Sequence, residues 1–389
     1  MNYDKILNPV IVAEKPSGIR RFFDLASTMK DCIVLGVGEP DFKTPWSIRE
    51  AGIESLEKGR TFYTSNSGLS ELRKEVCHYL SRRFELNYEE DEVMITVGGS
   101  EGIDACMRAV LSEGDEIIIP YPSYVSYGPM ARLAGAVVVP INTKAENSFR
   151  ITAQELKAAI TPKTKMLVLP YPSNPTGAVM RREHLEEIAE VLRGTDILVM
   201  SDEIYAELTY GNQRHVSIAS LEGMKERTIL INGFSKAHAM TGWRLGYACG
   251  PKPILQQMLK IHQYAIMSAP TTSQYAAIVA LSQCDEAVEE MREQYNLRRK
   301  FITSELKRIG MPCYDAEGTF YAFADIRSSG LSSDEFCERL MYEKKVVVVP
   351  GTAFGDAGEG FVRISYSYSI DHIQQALVRM EEFMNSLKK

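Results

Sequence analysis

The sequence predicts an α/β protein: a large domain built on a doubly wound, mostly parallel sheet, and a smaller α+β domain attached to it. Three observations predict this. Between residues 92 and 250, short runs of apolar, β-branched residues alternate with amphipathic helical patterns. Those runs are apolar throughout rather than every second residue, as strands covered on both faces are. Beyond about residue 285 the pattern changes to one long charged helix followed by shorter strand-like runs.

Taken in order, Val93–Val97 reads as a strand, Ser100–Leu111 as a helix and Glu116–Pro120 as a strand. Tyr124–Leu133 reads as a helix, Ala136–Ile141 as a strand, and a helix opens at Ile151. Thr164–Leu169 is a strand, Arg181–Leu192 a helix, Asp196–Met200 a strand, and Thr228–Asn232 and Leu245–Ala248 close the series. The second part is predicted as a helix over Cys284–Gly310, strand-like runs at Thr319–Asp325, Lys345–Pro350 and Gly360–Tyr366, and an amphipathic helix over Ile370–Leu387. The expected division is a large domain over 46–280 and a small one from 1–45 with 281–389.

Bulk properties narrow the function. A chain of 389 residues with 45% apolar and 24% charged residues has ordinary globular composition. A net charge of −7 with no basic patch argues against nucleic-acid binding. No apolar run approaches the roughly 20 residues of a membrane span, and the first residues lack an apolar signal core. Seven scattered cysteines without a Cys-x-x-Cys suggest neither a disulfide framework nor a zinc site. A cytoplasmic protein with reduced thiols is expected, and the six histidines show no metal-ligand spacing.

Ligands of open α/β sheets sit beyond the carboxyl ends of the strands, and the residues following each predicted strand are distinctive. They are Gly98-Gly-Ser-Glu-Gly102, Tyr121-Pro-Ser-Tyr124, Tyr171-Pro-Ser-Asn174-Pro-Thr-Gly177, Ser201-Asp202-Glu-Ile-Tyr205 and Gly233-Phe-Ser235-Lys236. Each offers a group suited to one part of a phosphorylated aromatic cofactor. Glycines opening a helix expose N–H groups to a phosphate, with Ser235 and Arg244 as further phosphate contacts. An aromatic ring stacks, a carboxylate pairs with a pyridinium nitrogen, and Asn and Tyr bond a phenolate oxygen. Lys236, desolvated beside such a cofactor, has its ammonium destabilised and its amine freed for imine formation. Singly, each has a plainer reading. Asp202 suits a helix N-cap, Asn174-Pro175 suits a turn, Tyr205 and Tyr124 suit a core, and Arg363 suits a solvated strand position. Their joint order at successive strand tips makes coincidence improbable.

Gly-Glu-Pro-Asp-Phe (38–42), Tyr-Thr-Ser-Asn-Ser-Gly-Leu (63–69), Gly-Gly-Ser-Glu-Gly (98–102), Ser-Asn-Pro-Thr-Gly (173–177), Ser-Asp-Glu-Ile-Tyr (201–205), Ser-Lys (235–236), Gly-Trp-Arg-Leu-Gly (242–246) and Gly-Phe-Val-Arg-Ile-Ser-Tyr (360–366) are present in that order. The set resembles the class I aminotransferases of pyridoxal-phosphate (PLP) fold type I, closest to the prokaryotic aspartate and aromatic branch, across essentially the whole chain. The resemblance implies pyridoxal 5'-phosphate as cofactor and ping-pong transamination between an L-amino acid and a 2-oxo acid such as 2-oxoglutarate. Lys236 is implied as the Schiff-base lysine and proton shuttle, Asp202 as partner of the pyridinium N–H, and Tyr205 and Asn174 as partners of the cofactor O3'. Tyr124 is implied to stack on the ring, and Gly99, Ser100, Ser235 and Arg244 to hold the phosphate. Tyr63 is implied to reach the phosphate of a neighbouring subunit, hence a homodimer with shared sites. Arg363 is implied to grip the substrate carboxylate in a two-pronged fork, assisted by the Gly38 N–H and Asn174. Asn174-Pro175 is a candidate cis peptide.

Two positions depart from the family pattern. Gly233 stands where many relatives carry a phosphate-binding serine, and Ser100 where some aspartate enzymes carry a lysine for the side-chain carboxylate. Arg20 and Arg21 are the remaining candidates for that carboxylate, and the balance tilts toward an aromatic or broad-range donor. Competing readings are a β-lyase on the same cofactor and a serine hydrolase with Ser100 in a G-x-S-x-G elbow, Asp202, and His215 or His238. A PLP-sensing regulator would carry a DNA-binding extension, which the chain is expected to lack. Gly36-x-Gly38 lacks the third glycine of a dinucleotide fingerprint.

Overall fold

Most apolar runs form strands because both of their faces find a partner; Val137–Asn142, at one edge of its sheet, leaves Val137 52% exposed. The computed structural model describes residues 1, 3–16, 18–19, 29–211 and 214–387. The strands are β1 (Ile33–Val34), β2 (Val93–Thr96), β3 (Glu116–Tyr121), β4 (Val137–Asn142), β5 (Thr164–Leu169), β6 (Leu198–Asp202), β7 (Thr228–Gly233) and β8 (Gly246–Cys249). The C-terminal part adds β9 (Tyr321–Asp325), β10 (Val346–Val347), β11 (Val349–Pro350) and β12 (Phe361–Ser365).

Seven strands make one sheet in the order β2-β8-β7-β6-β5-β3-β4. Pairing is parallel except at β8, which runs antiparallel to both β2 and β7. Alternate residues enter different cores: Met166, Val168, Met200, Ile229 and Ile231 on one face, Leu167, Leu169 and Val199 on the other. Helices Gly98–Val110 and Lys252–Ala265 cover the first face through Ile103, Met107, Leu255 and Met258. Helix Arg182–Leu192 covers part of the second through Leu185 and Ile188. The doubly wound prediction is therefore observed.

A three-stranded antiparallel sheet, β11-β12-β9, forms the second layer system. Beside it β1 pairs in parallel with β10, so Ile33 and Leu35 enter the core made by Val346, Ile364 and Ile373. Helices Asp285–Arg308, Ser333–Lys344 and Ile370–Leu387 complete that core.

Several boundaries differ from the sequence reading. The helix expected from Tyr124 starts at Tyr127, because the Tyr127 N–H bonds the Tyr124 carbonyl in a preceding turn. The helix expected from Ile151 starts at Ala153: Thr152 is its cap, and Thr152 and Glu155 bond each other's backbone N–H. The strand expected over Asp196–Met200 is displaced to Leu198–Asp202, because the Thr195 hydroxyl accepts from Ile197 N and donates to Leu192 O, holding a turn there. The run Lys345–Pro350 splits into β10 and β11, which pair with different strands. β9 begins at Tyr321 rather than Thr319, whose φ of 64° is left-handed.

Candidate active site

The parallel strands β2, β3, β5, β6 and β7 end at one edge of the sheet. β8 runs the other way, so its beginning lies at that same edge and delivers Arg244 there. A cavity of about 410 Å³ opens at this edge, ordinary for a small-molecule site. Gly38, Gly99, Ser100, Tyr124, Asn174, Asp202, Tyr205, Ser235, Lys236, Arg244 and Arg363 all line it. Of the residues picked out from the sequence, Tyr63 lies elsewhere, 80% exposed on the surface. Arg20 and Arg21 fall outside the described residues.

Lys236 follows the end of β7 by three residues, and its Nζ donates to the Gly38 carbonyl at 2.6 Å. Burial lowers its pKa from 10.5 to about 8; the charges of Arg363 and Arg244 push the same way, against Glu39 and Asp202. Asp202 closes β6 and is 7% exposed. Its Oδ2 accepts from the Tyr127 hydroxyl at 2.6 Å and its Oδ1 from Ile204 N at 3.2 Å. No α-helix follows it, so the N-cap reading does not apply. Burial raises its carboxyl pKa, opposed by both hydrogen bonds. A cationic nitrogen facing this carboxylate would offset that desolvation.

Tyr205 is buried, and its hydroxyl lies 2.9 Å from that of Tyr321. Desolvation holds its phenol protonated well above the ordinary range. The Asn174–Pro175 peptide is cis. Asn174 Oδ1 accepts from Arg363 Nη1 at 2.7 Å, and Arg363 Nη2 donates to the Gly36 carbonyl at 2.6 Å. Arg363 is 2% exposed, its Nε is without a hydrogen bond, and no carboxylate pairs with it among the described residues. Its guanidinium lies between the rings of Tyr321 and Phe354, 4.3 and 4.8 Å from their centroids. A buried cation held by ring faces and carbonyls retains its affinity for an anion.

The end of the cavity at helix Gly98–Val110 is equally specific. No side chain caps the amino end of helix Gly98–Val110, leaving its first N–H groups for an anion. Ser100, Ser235 and Arg244 line the cavity, and the Arg244 guanidinium lies against Gly98 at that helix start. Gly233 cannot take the family's serine unmoved: a Cβ there would stand 2.9 Å from Gly246 Cα and 3.1 Å from the Leu245 carbonyl. β7 and β8 pair glycine to glycine at this point, and the helix start packs on them, with a Cβ on Gly246 2.8 Å from Gly99 N. Donors for an anion, a buried carboxylate for a ring nitrogen, phenol and amide for an oxygen, and a poised amine together fit pyridoxal phosphate.

The hydrolase geometry does not assemble. The Ser100 hydroxyl lies 3.5 Å from that of Tyr124, and neither His215 nor His238 lines the cavity. His215 Nε2 bonds Glu203 at 2.8 Å, and His238 is buried between Tyr79 and Phe234. Two lining residues escape the sequence argument. Tyr127 holds Asp202 from inside a helix, and Tyr321 touches Tyr205 and Arg363 from β9. Neither stands at a parallel strand tip, so no local pattern in the sequence marks either.

Residues 30–380 match the family model for aminotransferase class I and II. YugH of Bacillus subtilis (strain 168), named as an aminotransferase without a substrate, is 52% identical over 372 residues, covering 95% of this chain and 96% of YugH. A protein of Pyrococcus abyssi named aspartate aminotransferase is 45% identical over 376 residues, covering 96% of this chain and 97% of its own. The crystal structure of an aromatic aminotransferase from Pyrococcus horikoshii superposes with a TM-score of 0.89 at 43% identity, over 95% of this chain and 99% of that one. Cavity, residues and relatives agree, and the chain belongs to the class I and II aminotransferases, enzymes that work with pyridoxal phosphate.

Proposed function

We propose that this aminotransferase takes aromatic or broad-range L-amino acids as donors and 2-oxoglutarate or a similar 2-oxo acid as acceptor. It works as a cytoplasmic homodimer with shared sites, with a large domain over 46–280 and a small one from 1–45 and 281–389. The observation that carries the residue roles is the convergence of Lys236, Asp202, Tyr205, Asn174 and Arg363 on one cavity.

When bound, pyridoxal phosphate supplies an electron sink for the electron pair released at the substrate Cα. Arg363 grips the substrate carboxylate in a two-pronged fork through its guanidinium, and Asn174 and the Gly38 N–H fix its orientation. Lys236, its ammonium disfavoured by burial, would take the proton from the substrate Cα and return it to C4' of the cofactor. Asp202, held by Tyr127, keeps a proton on the ring nitrogen. Tyr205 and Asn174 donate to the ring oxygen, Tyr124 packs on the ring, and Gly99, Ser100, Ser235 and Arg244 hold the phosphate.

The donor preference is supported by the cations of the cavity. Among the described lining residues these are Lys236, Arg244 and Arg363, each already assigned, so this protomer favours a donor without a distal carboxylate, and that of 2-oxoglutarate would have to be met by water or by the partner subunit. The relatives' names include aspartate, aromatic and N-acetyl-LL-diaminopimelate substrates. The dimer is supported by exposed Phe62, Tyr63, Tyr264 and Met267. Asn66 donates to the Met267 carbonyl at 2.6 Å and Thr271 to the Phe62 carbonyl at 2.7 Å, so these segments form one surface. No described helix is long and apolar enough to cross a membrane.

The test is an absorbance spectrum of the purified protein with PLP, before and after single amino acids. Conversion to the amine form of the cofactor, fastest with phenylalanine or tyrosine, is expected. Fastest conversion by aspartate would reverse the donor preference. Ammonia released without a 2-oxo acid would move the reaction to β-elimination.

A further inference from the structure

Tyr321 occupies a position that the roles above leave unassigned. It opens β9, opposite Ser365 of β12, with Phe323 opposite Arg363. Tyr321 is thus the diagonal same-face neighbour of Arg363, within reach of a long side chain. The Arg363 guanidinium lies 4.3 Å over its ring. Its hydroxyl, at the far end, lies 2.9 Å from the Tyr205 hydroxyl. That hydroxyl also rests against Gly38, where a Cβ would stand 2.1 Å from it, and the Gly38 carbonyl accepts from Lys236. One side chain, 1% exposed, therefore touches the carboxylate clamp, the phenol beside the lysine and the glycine that holds the lysine.

We propose that Tyr321 is a positioning residue with two separable jobs: its ring supports Arg363 for the substrate carboxylate, and its hydroxyl donates to Tyr205 and makes Tyr205 a stronger donor. The inference rests on the assignment of Tyr205 and Lys236 to the cofactor. The chemistry behind the second job is the polarisation of linked hydrogen bonds. A phenol that accepts one hydrogen bond gives its own proton more strongly to the next acceptor. Both tyrosines are removed from water, so each remains a phenol and each has a proton to give. The first job follows from the surroundings of Arg363. With no carboxylate paired to it among the described residues, the ring faces of Tyr321 and Phe354 fix its plane without neutralising it.

The experiment compares wild type, Tyr321→Phe and Tyr321→Leu as PLP-loaded proteins, each checked first for bound PLP and thermal midpoint. The first readout is the pH midpoint of the colour change of lysine-bound PLP, which needs no substrate. Tyr321→Phe keeps the ring and is expected to raise that midpoint by about 0.3–0.5 pH unit, because a weaker Tyr205 donor leaves the ring oxygen more basic. Its KM for the amino acid should stay within about twofold, since the ring beneath Arg363 is kept. Tyr321→Leu should shift the midpoint equally and in addition raise KM by about tenfold, with kcat changed less. A Tyr321→Phe midpoint equal to wild type overturns the hydroxyl's job. A KM in Tyr321→Leu equal to that in Tyr321→Phe overturns the ring's. Failure of the underlying cofactor assignment is distinguishable, because the wild type itself would then show no colour change with pH.

Discussion

The seven-stranded sheet and the three-stranded sheet both build the cavity, by different rules. The large sheet contributes from its edge: Ser100, Asn174, Asp202 and Lys236 each follow or end a strand, and neighbouring strands bring them together. The small sheet contributes from its face: Arg363 is the third residue of β12 and Tyr321 the first of β9, both buried. At a strand tip the backbone leaves the sheet, so polar groups there are free to meet a ligand. On a buried strand face a charge is tolerated only where neighbours solvate it, as Asn174, the Gly36 carbonyl and two rings do for Arg363. In the proposed reading the first arrangement holds the cofactor and the second the substrate carboxylate.

Substitutions separate the two regions by what they damage. Lys236→Ala should lower turnover at least about 10⁴-fold while leaving the fold intact, since it removes both imine formation and proton transfer; full single-turnover rates would break the comparison at its edge side. Arg363→Ala should raise KM for both substrates about 30- to 1000-fold, the cost of losing a charge-assisted fork, with kcat affected less. Steady-state constants equal to wild type would show that the face of the small sheet does not bind the carboxylate.

Lys236 also leaves a signature in the protein without PLP. Its folded pKa, about 8, lies below the unfolded value of 10.5. Below pH 8 the ammonium is buried and costs stability; from pH 8 to 10.5 the unfolded chain binds the extra proton, so stability rises with pH there. Apo Lys236→Met should therefore be more stable than apo wild type at pH 7 by about 3 kcal/mol, the difference closing as pH approaches 10.5. Denaturant midpoints in the two proteins, measured across that range, check the sign.

Gly38→Ala sharpens the contact between the regions. The added Cβ would overlap the Tyr321 hydroxyl, so a loss of about 1–3 kcal/mol in thermal stability is expected, partly restored in the double variant with Tyr321→Phe. Simple additivity of the two changes would refute the contact. The smallest effect is expected of Tyr127→Phe, which removes one hydrogen bond from a carboxylate that keeps another; about 1–2 kcal/mol of PLP affinity, read by equilibrium dialysis, is the expected loss.

The sequence by itself determined the alternation of strands and helices, and with it the edge where Ser100, Asn174, Asp202 and Lys236 meet. These are local properties: an apolar run long enough to be buried twice, and the polar or glycine residues that must follow where it ends. Boundaries slipped where a side chain rather than periodicity set them, as at Thr152 and Thr195. Only the tertiary structure decided that β8 runs backwards and brings Arg244 to the same edge. It likewise decided that Lys345–Pro350 serves two sheets, that Gly233 must lack a side chain against Gly246, and that Tyr127 and Tyr321 back Asp202 and Tyr205. Each of those depends on what lies opposite in space, at sequence separations that no local pattern encodes.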